Sequence, residues 1–397
     1  MRGKRVIGSE QIEEARKRGR LTVEILPGDI ITLLAEETAA RFGLDLVEGP
    51  LERPAVIRTD GATALRRGLY RRSPKWTAPT PVTPREARRL GKLALVGAGG
   101  VGANTALLAM QSGLAHEITL IDVTPGLAEA TALDLNHAGA IFRTGSRVIG
   151  GSSLDLIRDA GVVVVTAGRP RTPGMTRTDL LESNRRVIRT IAEAIRTVAP
   201  DSIVIVVTNP LDEMTHEMLA ATGFSRERVL GMAGTLDSSR FRQALAQAAG
   251  VMPVDVEAIC LGAHGDEMVP ITSHARIKGR SLDIFLTNQA VDEAVQNAVT
   301  GGGQVVALRK TGSATMAPAR ATIELIDHIR GASSGAVPAS VMLKGEYCIE
   351  NVVLGVPCHL GGKGLIQIDE LALSAGEQDA LKRAAEAIRA RIEGAPA

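Results

Sequence analysis

Residues 93–122 read LALVGAGGVGANTALLAMQSGLAHEITLID, a pattern that joins a strand, a glycine turn, a helix and a second strand. A short apolar run, Leu93 to Val96, breaks at Gly97. A segment with helical spacing of apolar residues follows, and a second apolar run ends at Asp122. Gly97, Gly99 and Gly102 form a GxGxxG between strand and helix. In that setting the first glycine permits a tight turn, the second lets backbone approach a pyrophosphate, and the third lets helix and strand pack closely, with the phosphates facing the helix N-terminus. The glycines alone are weak, because a glycine turn in an α/β protein without any dinucleotide has the same pattern. Asp122 strengthens the reading. It ends the next strand 20 residues past Gly102, where a carboxylate accepts hydrogen bonds from ribose hydroxyls and repels a 2′-phosphate. The expected cofactor is NAD rather than NADP.

Outward from this stretch, KLALVGAG, EITLIDV, GVVVVTAG and SIVIVVTNP are each followed by segments of 3.6-residue periodicity. Near-continuous Val, Ile and Leu runs suit parallel strands covered on both faces. The expected fold class is α/β, with a Rossmann doubly wound parallel sheet over 91–235 as the NAD-binding domain. After about residue 235 the runs become more mixed, which predicts an α+β catalytic domain over 236–397. It ends in an amphipathic helix from about Gly376 to Glu393, with Leu381, Ala384, Ala385, Ile388 and Ile392 on one face.

The 397-residue chain is long enough for these two domains and a small third. Residues 1–50 read as that third piece, a small α/β extension: a helix from Ser9, a strand LTVEI, a turn at Pro27 and Gly28, a helix starting near Thr32 and a strand LDLV. Residues 51–90 carry 10 basic residues against three acidic ones, with Pro74, Pro79, Pro81 and Pro84 clustered near the end. That composition reads as a basic, proline-containing, solvated linker. The net charge of +2 therefore divides into +6 for residues 1–90 and −4 for the rest.

Composition excludes several classes. No apolar run reaches the roughly 18 residues of a membrane span, and the start MRGKRVIGSEQIEE has no apolar stretch of signal-peptide length. No membrane is expected, and the cytoplasm is the expected location. Cys260, Cys348 and Cys358 form neither a CxxC pair nor a zinc set, so no metal is expected and all three read as buried thiols. The basic charge lies in a proline-bearing spacer, and aromatic residues make up only 2% of the chain, too few for base stacking; nucleic acid is not an expected partner.

The stretches GAGGVG, AGRPRTPGMTRTDLLESN, VTNPLD, GMAGTLDSSRFR and LGAHGDEMVP and, more loosely, GSATMAP and GEY follow one another across about 300 residues. Together they resemble the lactate/malate dehydrogenase family over residues 91–397, and most of all the malate dehydrogenases that share the lactate dehydrogenase architecture. The resemblance implies reversible hydride transfer between NADH and oxaloacetate to give malate, as in the tricarboxylic acid cycle, by a homodimer or homotetramer. The alternatives are a lactate or other 2-hydroxy-acid dehydrogenase, or a catalytically idle assembly protein of the same fold.

Such a transfer needs a group that gains and loses a proton near neutral pH. His264, between Gly262 and Gly265, matches the family's acid/base. A lone histidine is more often structural, which is the reading for His116, His137, His216, His274, His328 and His359. A buried carboxylate holds one imidazole tautomer and stabilises the cation; Asp237 matches that residue. Arg240, three residues on, shares a helical face with it and can take the C1 carboxylate in two parallel hydrogen bonds. An ordinary surface ion pair is the competing reading of that spacing. Asn209 matches a substrate or nicotinamide contact, with a plain turn before proline as the alternative, and Asn184 and Thr208 join it in the expected cofactor set. Asp212 reads as structural.

The arginine-rich loop completes the set. Arg177 matches the residue that swings in on loop closure and polarises the keto oxygen. Arg171 occupies the position that separates substrates in this family: arginine there resembles malate dehydrogenases, whereas lactate dehydrogenases typically carry glutamine. Pyruvate would leave a desolvated guanidinium unpaired, at about 1–3 kcal/mol. Arg169 reads as solvated charge, and Gly174 as a hinge or a plain turn. At the front, LTVEILPGDIITLLAEETAARFGLDLVEGP is similar to a short module at the ends of several enzymes packaged in bacterial microcompartments. This implies docking of residues 1–50 to a shell or partner enzyme through Leu33, Leu34, Ala39 and Phe42, with location inside such a compartment. A self-contained accessory fold is the alternative.

Overall fold

A computed structural model describes residues 6–17, 22–25, 29–48, 70–73, 80–81, 87–169, 177–310 and 312–394. The chain divides into two compact units, residues 1–64 and 65–397.

The first unit has helices Ser9–Lys17 and Leu33–Phe42 and two parallel strand pairs, Val6–Ile7 with Ile30–Ile31 and Thr22–Ile25 with Asp45–Glu48. Thr32 caps the second helix, its hydroxyl accepting from the Ala35 amide, and Gly43 ends it with φ +66°. Ile7, Ile12, Ile25, Ala35, Ala39 and Leu44 make a small core. The expected docking face is thereby divided. Leu33 and Leu34 stand 72% and 60% exposed, but Ala39 points inward, because it lies one helical turn from Ala35 on the core side. The Phe42 ring is covered by the guanidinium groups of Arg16 and Arg41.

In the second unit the parallel strands are β1 (Leu90–Val96), β2 (Ala115–Ile121), β3 (Arg147–Gly151), β4 (Val162–Val165), β5 (Ile203–Val206) and β6 (Val229–Gly231), hydrogen-bonded in the order β3-β2-β1-β4-β5-β6. This is the Rossmann order, with ligand sites at the carboxyl ends of the strands where the order reverses. Helices α1 (Gly100–Gln111), α2 (Leu127–Phe142), α3 (Arg177–Val198) and α4 (Leu211–Thr222) connect the strands. Separate apolar cores form on the two faces of the sheet. Both faces of β4 are therefore covered, and all four of its valines are buried.

The sheet then continues with antiparallel strands. Strands β7 (Cys260–Gly262), β8 (Met268–Pro270), β9 (Val337–Lys344), β10 (Glu350–Gly361) and β11 (Gly364–Leu371) belong to the second half, and β9 joins β6 through Gly231 and Ser340. The α-helices of this half are α5 (Gly234–Ala249), α6 (Asn288–Arg309), α7 (Met316–Ile329) and α8 (Ala375–Glu393). A capping box of Ser374 and Glu377 opens α8, which buries Leu381, Ala384, Ala385 and Ile388, as its periodicity predicts. Within the segment read as a solvated linker, Tyr70–Ser73 pairs with β11 and Thr80–Pro81 pairs with Ser333–Ser334. Cys260 and Cys358 are buried, but Cys348 is exposed, because it sits in a turn between β9 and β10. No helix among the described residues is long and apolar enough to cross a membrane.

Candidate functional site

The glycine loop has the geometry a dinucleotide needs. Gly97 adopts φ +112°, and a Cβ there would lie 2.4 Å from the Thr166 hydroxyl. A Cβ on Gly102 would lie 1.9 Å from the Gly97 carbonyl oxygen, so α1 can approach β1 this closely only without a side chain. Gly99 differs: a Cβ there would meet open space, and nothing within the protein demands glycine. The bare backbone at the start of α1 thus faces outward, where an approaching pyrophosphate needs it bare. Asp122 accepts from the Ala98 amide at 2.8 Å and from the Thr124 amide at 2.9 Å. Burial works to raise this carboxyl, but those two N–H groups outweigh burial and hold it below the ordinary carboxylate value. An ionised acceptor therefore stands beside the glycine loop.

A cluster of histidine, aspartate and arginine is assembled from two elements. His264 follows β7, and its Nδ1 lies 2.9 Å from Oδ2 of Asp237 on α5. The other oxygen of Asp237 accepts from Arg240 Nη1 at 3.0 Å. Asp237 is only 2% exposed, whereas the His264 side chain keeps 15% of its surface open, enough for its other nitrogen to meet a ligand. Burial alone would lower the imidazole; the Asp237 carboxylate, with Asp212 adding to it, outweighs that and holds the ring above its ordinary value. Arg240 packs against α6 where the helix carries Gly301 and Gly302, and a Cβ on Gly302 would come within 3.3 Å of the guanidinium. Each helical glycine costs about 1 kcal/mol relative to alanine. Space for Arg240 is a physical reason for Gly302, a residue that the sequence reading does not single out.

Of the remaining expected residues, Asn209 precedes α4 across a cis peptide bond to Pro210, and its side chain is exposed. Asn184 and Thr208 do not fit direct cofactor contact. Asn184 is 1% exposed; its amide accepts from Arg169 N at 2.7 Å and donates to the carbonyls of Asn209 and Arg169. Thr208 is buried and donates to the Ala167 carbonyl at 2.7 Å. Both side chains spend their polar atoms holding the ends of β4 and β5, and both close on Gly168, where a Cβ would lie 2.6 Å from Thr208. Arg169 is exposed. Arg171 and Gly174 lie outside the described residues. Arg177 begins α3, and its side chain is likewise outside them.

Behind His264 lies Asp212, for which the sequence suggests a structural role only. Asp212, in the first turn of α4, accepts the His264 backbone N–H at 2.7 Å and the Ser340 hydroxyl at 2.8 Å. Burial and the neighbouring charge of Glu213 push its carboxyl up to about 7, against the opposing effect of those hydrogen bonds. Arg391 of α8 binds Glu213 on α4 and, at 2.9 Å, Glu267 just after His264. Among the described residues no group of three or more His, Cys, Asp or Glu side chains is arranged to hold a metal.

A Rossmann half presenting a glycine loop and a ribose carboxylate, joined to a half presenting a His–Asp pair beside an arginine, defines an NAD-binding oxidoreductase. Residues 91–231 match the family described as lactate/malate dehydrogenase, NAD binding domain, and 234–397 match its alpha/beta C-terminal domain. The chain belongs to the lactate/malate dehydrogenase family. It is 40% identical over 314 residues to a malate dehydrogenase of Trichormus variabilis, covering 79% of this chain and 97% of that one. The crystal structure of Cryptosporidium parvum malate dehydrogenase superposes with TM-score 0.74 and 36% identity, over 77% of this chain and 99% of the other. The lactate dehydrogenase of the same organism, in complex with lactic acid and NAD, superposes with TM-score 0.74 and 34% identity, over 78% and 100%.

Proposed function

We propose that the protein is an NAD-dependent malate dehydrogenase that interconverts oxaloacetate and malate. The line of contacts from His264 through Asp237 to Arg240 carries the reading. It is supported by 40% identity to a malate dehydrogenase over most of both chains. Gly97, Gly99, Gly102 and Asp122 would hold NAD, which when bound supplies or accepts the hydride.

Arg240 would take the C1 carboxylate of oxaloacetate and set the C2 carbonyl against His264, with Asn209 adding a hydrogen bond to substrate or nicotinamide. His264 Nε2 would give its proton to the C2 oxygen as hydride reaches the carbon, and Asp237 would keep Nδ1 protonated throughout. Arg177 would stabilise charge developing on that oxygen, and Arg171 would pair with the second carboxylate. In malate oxidation the same proton returns to Nε2.

The malate and lactate dehydrogenases compared above resemble this chain almost equally in fold, so the substrate reading rests on Arg171. The test is kcat/KM for oxaloacetate against pyruvate, in the parent enzyme and in Arg171→Gln. Preference for oxaloacetate, weakened or reversed in the variant, is expected. A parent enzyme preferring pyruvate would overturn the assignment.

A cytoplasmic homodimer or homotetramer belongs to the same proposal, supported by Leu133 and Ile141 exposed eight residues apart on one face of α2. Docking of residues 1–50 to a shell or partner enzyme is supported by exposed Leu33 and Leu34. A tagged segment 1–90 that stays diffuse in cells would count against it.

A further inference from the structure

The buried carboxylate of Asp212 has no part in the mechanism above. It is 1% exposed and its two oxygens are committed to different elements: Oδ2 to the backbone N–H of His264, after β7, and Oδ1 to the hydroxyl of Ser340 on β9. An asparagine could make the same two bonds, its carbonyl accepting from His264 and its amide donating to Ser340. What the carboxylate adds over the amide is charge, in a place where burial makes charge unfavourable.

The surroundings are arranged to tolerate that charge. Asp212 lies in the first turn of α4, where the helix dipole favours an anion. Its neighbour Glu213, a second negative charge, is bound by Arg391 from α8. The same guanidinium binds Glu267, three residues after His264. From α5, Asp237 and Arg240 face the imidazole. Each element packed around Asp212 and His264 thus contributes either a hydrogen-bond donor or a compensated charge.

We propose that Asp212 is a positioning residue for the proton-transfer step: it anchors the His264 backbone and sets a second negative charge near the imidazole, alongside that of Asp237. The inference rests on His264 being the acid/base. A charge at this range favours imidazolium, so Asp212 works with Asp237 to keep His264 protonated for oxaloacetate reduction, and its own titration is coupled to that of the ring.

The experiment compares the parent enzyme with Asp212→Asn and Ser340→Ala. For each, kcat/KM for oxaloacetate is measured against pH, and the His264 ring proton is titrated by NMR, assigned by its loss in His264→Gln. In Asp212→Asn both midpoints are expected about one pH unit lower, the size of a unit-charge effect through partly screened protein, with KM for NADH unchanged. Ser340→Ala keeps the carboxylate but removes a donor that favours its charged form, and is expected to give a smaller shift in the same direction. Unchanged ring and kinetic midpoints in Asp212→Asn, or an upward shift in Ser340→Ala, would overturn the proposal. The NMR titration needs no turnover, so it tests the Asp212–His264 coupling even if oxaloacetate is not the substrate. Loss of oxaloacetate turnover in the parent enzyme would count only against the substrate reading. If Asp212→Asn fails to fold, the Ser340→Ala titration decides alone.

Discussion

Oδ2 of Asp237 lies 2.9 Å from Nδ1 of His264, while the opposite oxygen of the same carboxylate accepts from Arg240 at 3.0 Å. One buried carboxylate therefore orients both the imidazole proposed to carry the proton and the arginine proposed to grip the substrate. In Asp237→Asn the amide can present N–H toward Nδ1, favouring the wrong tautomer and loosening Arg240. We expect kcat/KM to fall by about two to four orders of magnitude, measured by steady-state oxidation of NADH, with a melting temperature close to the parent's.

The pH dependence has a definite sign. His264 is held above its ordinary value. Oxaloacetate reduction needs imidazolium, so its kcat/KM falls as pH rises through the His264 value. Malate oxidation needs the neutral ring, so it rises through the same value. Initial rates in both directions across the neutral range should give limbs of opposite slope with a common midpoint. Limbs sharing one slope would contradict the role of His264.

The second and third glycines of the nucleotide loop separate packing from binding. Gly102→Ala places a methyl 1.9 Å from the Gly97 carbonyl and should destabilise the fold as well as abolish NADH binding. A methyl at Gly99 meets no protein atom within 4 Å, so Gly99→Ala should melt within a few degrees of the parent yet bind NADH at least tenfold more weakly. Thermal unfolding and NADH fluorescence titration of both variants check this contrast.

Arg391→Met removes the counter-ion of buried Glu213. Stranding that carboxylate should cost about 3 kcal/mol in urea unfolding, toward the lower end for buried pairs because Arg391 keeps some solvent contact. Adding Glu213→Gln should recover part of the loss, since the uncompensated charge is then gone.

The parallel sheet and the glycine loop are legible locally, whereas His264, Asp237 and Arg240 are picked out together only by the family resemblance, His264 lying 27 residues from Asp237. Near-continuous Val, Ile and Leu runs, each followed by a helical segment, dictate covered parallel strands, and GxGxxG with Asp122 combines strand, turn and helix start in 30 residues. The amphipathic face of α8 follows from its periodicity for the same reason. Asn184 and Thr208 belong to the expected cofactor contacts, but burial turns their side chains inward to pin backbone. Cys348 looked like a buried thiol because composition cannot place a cysteine in an exposed turn.

The order of elements and the glycine loop with Asp122 follow from spacing within a few turns of chain. Tertiary structure alone decided which carboxylates stand behind His264. Asp212, Ser340, Glu213 and Arg391 are separated by up to 179 positions, and no local pattern relates them. They meet because β9 pairs beside β6 and α8 packs back over the start of α4, so that burial forces each charge to find its partner across the fold.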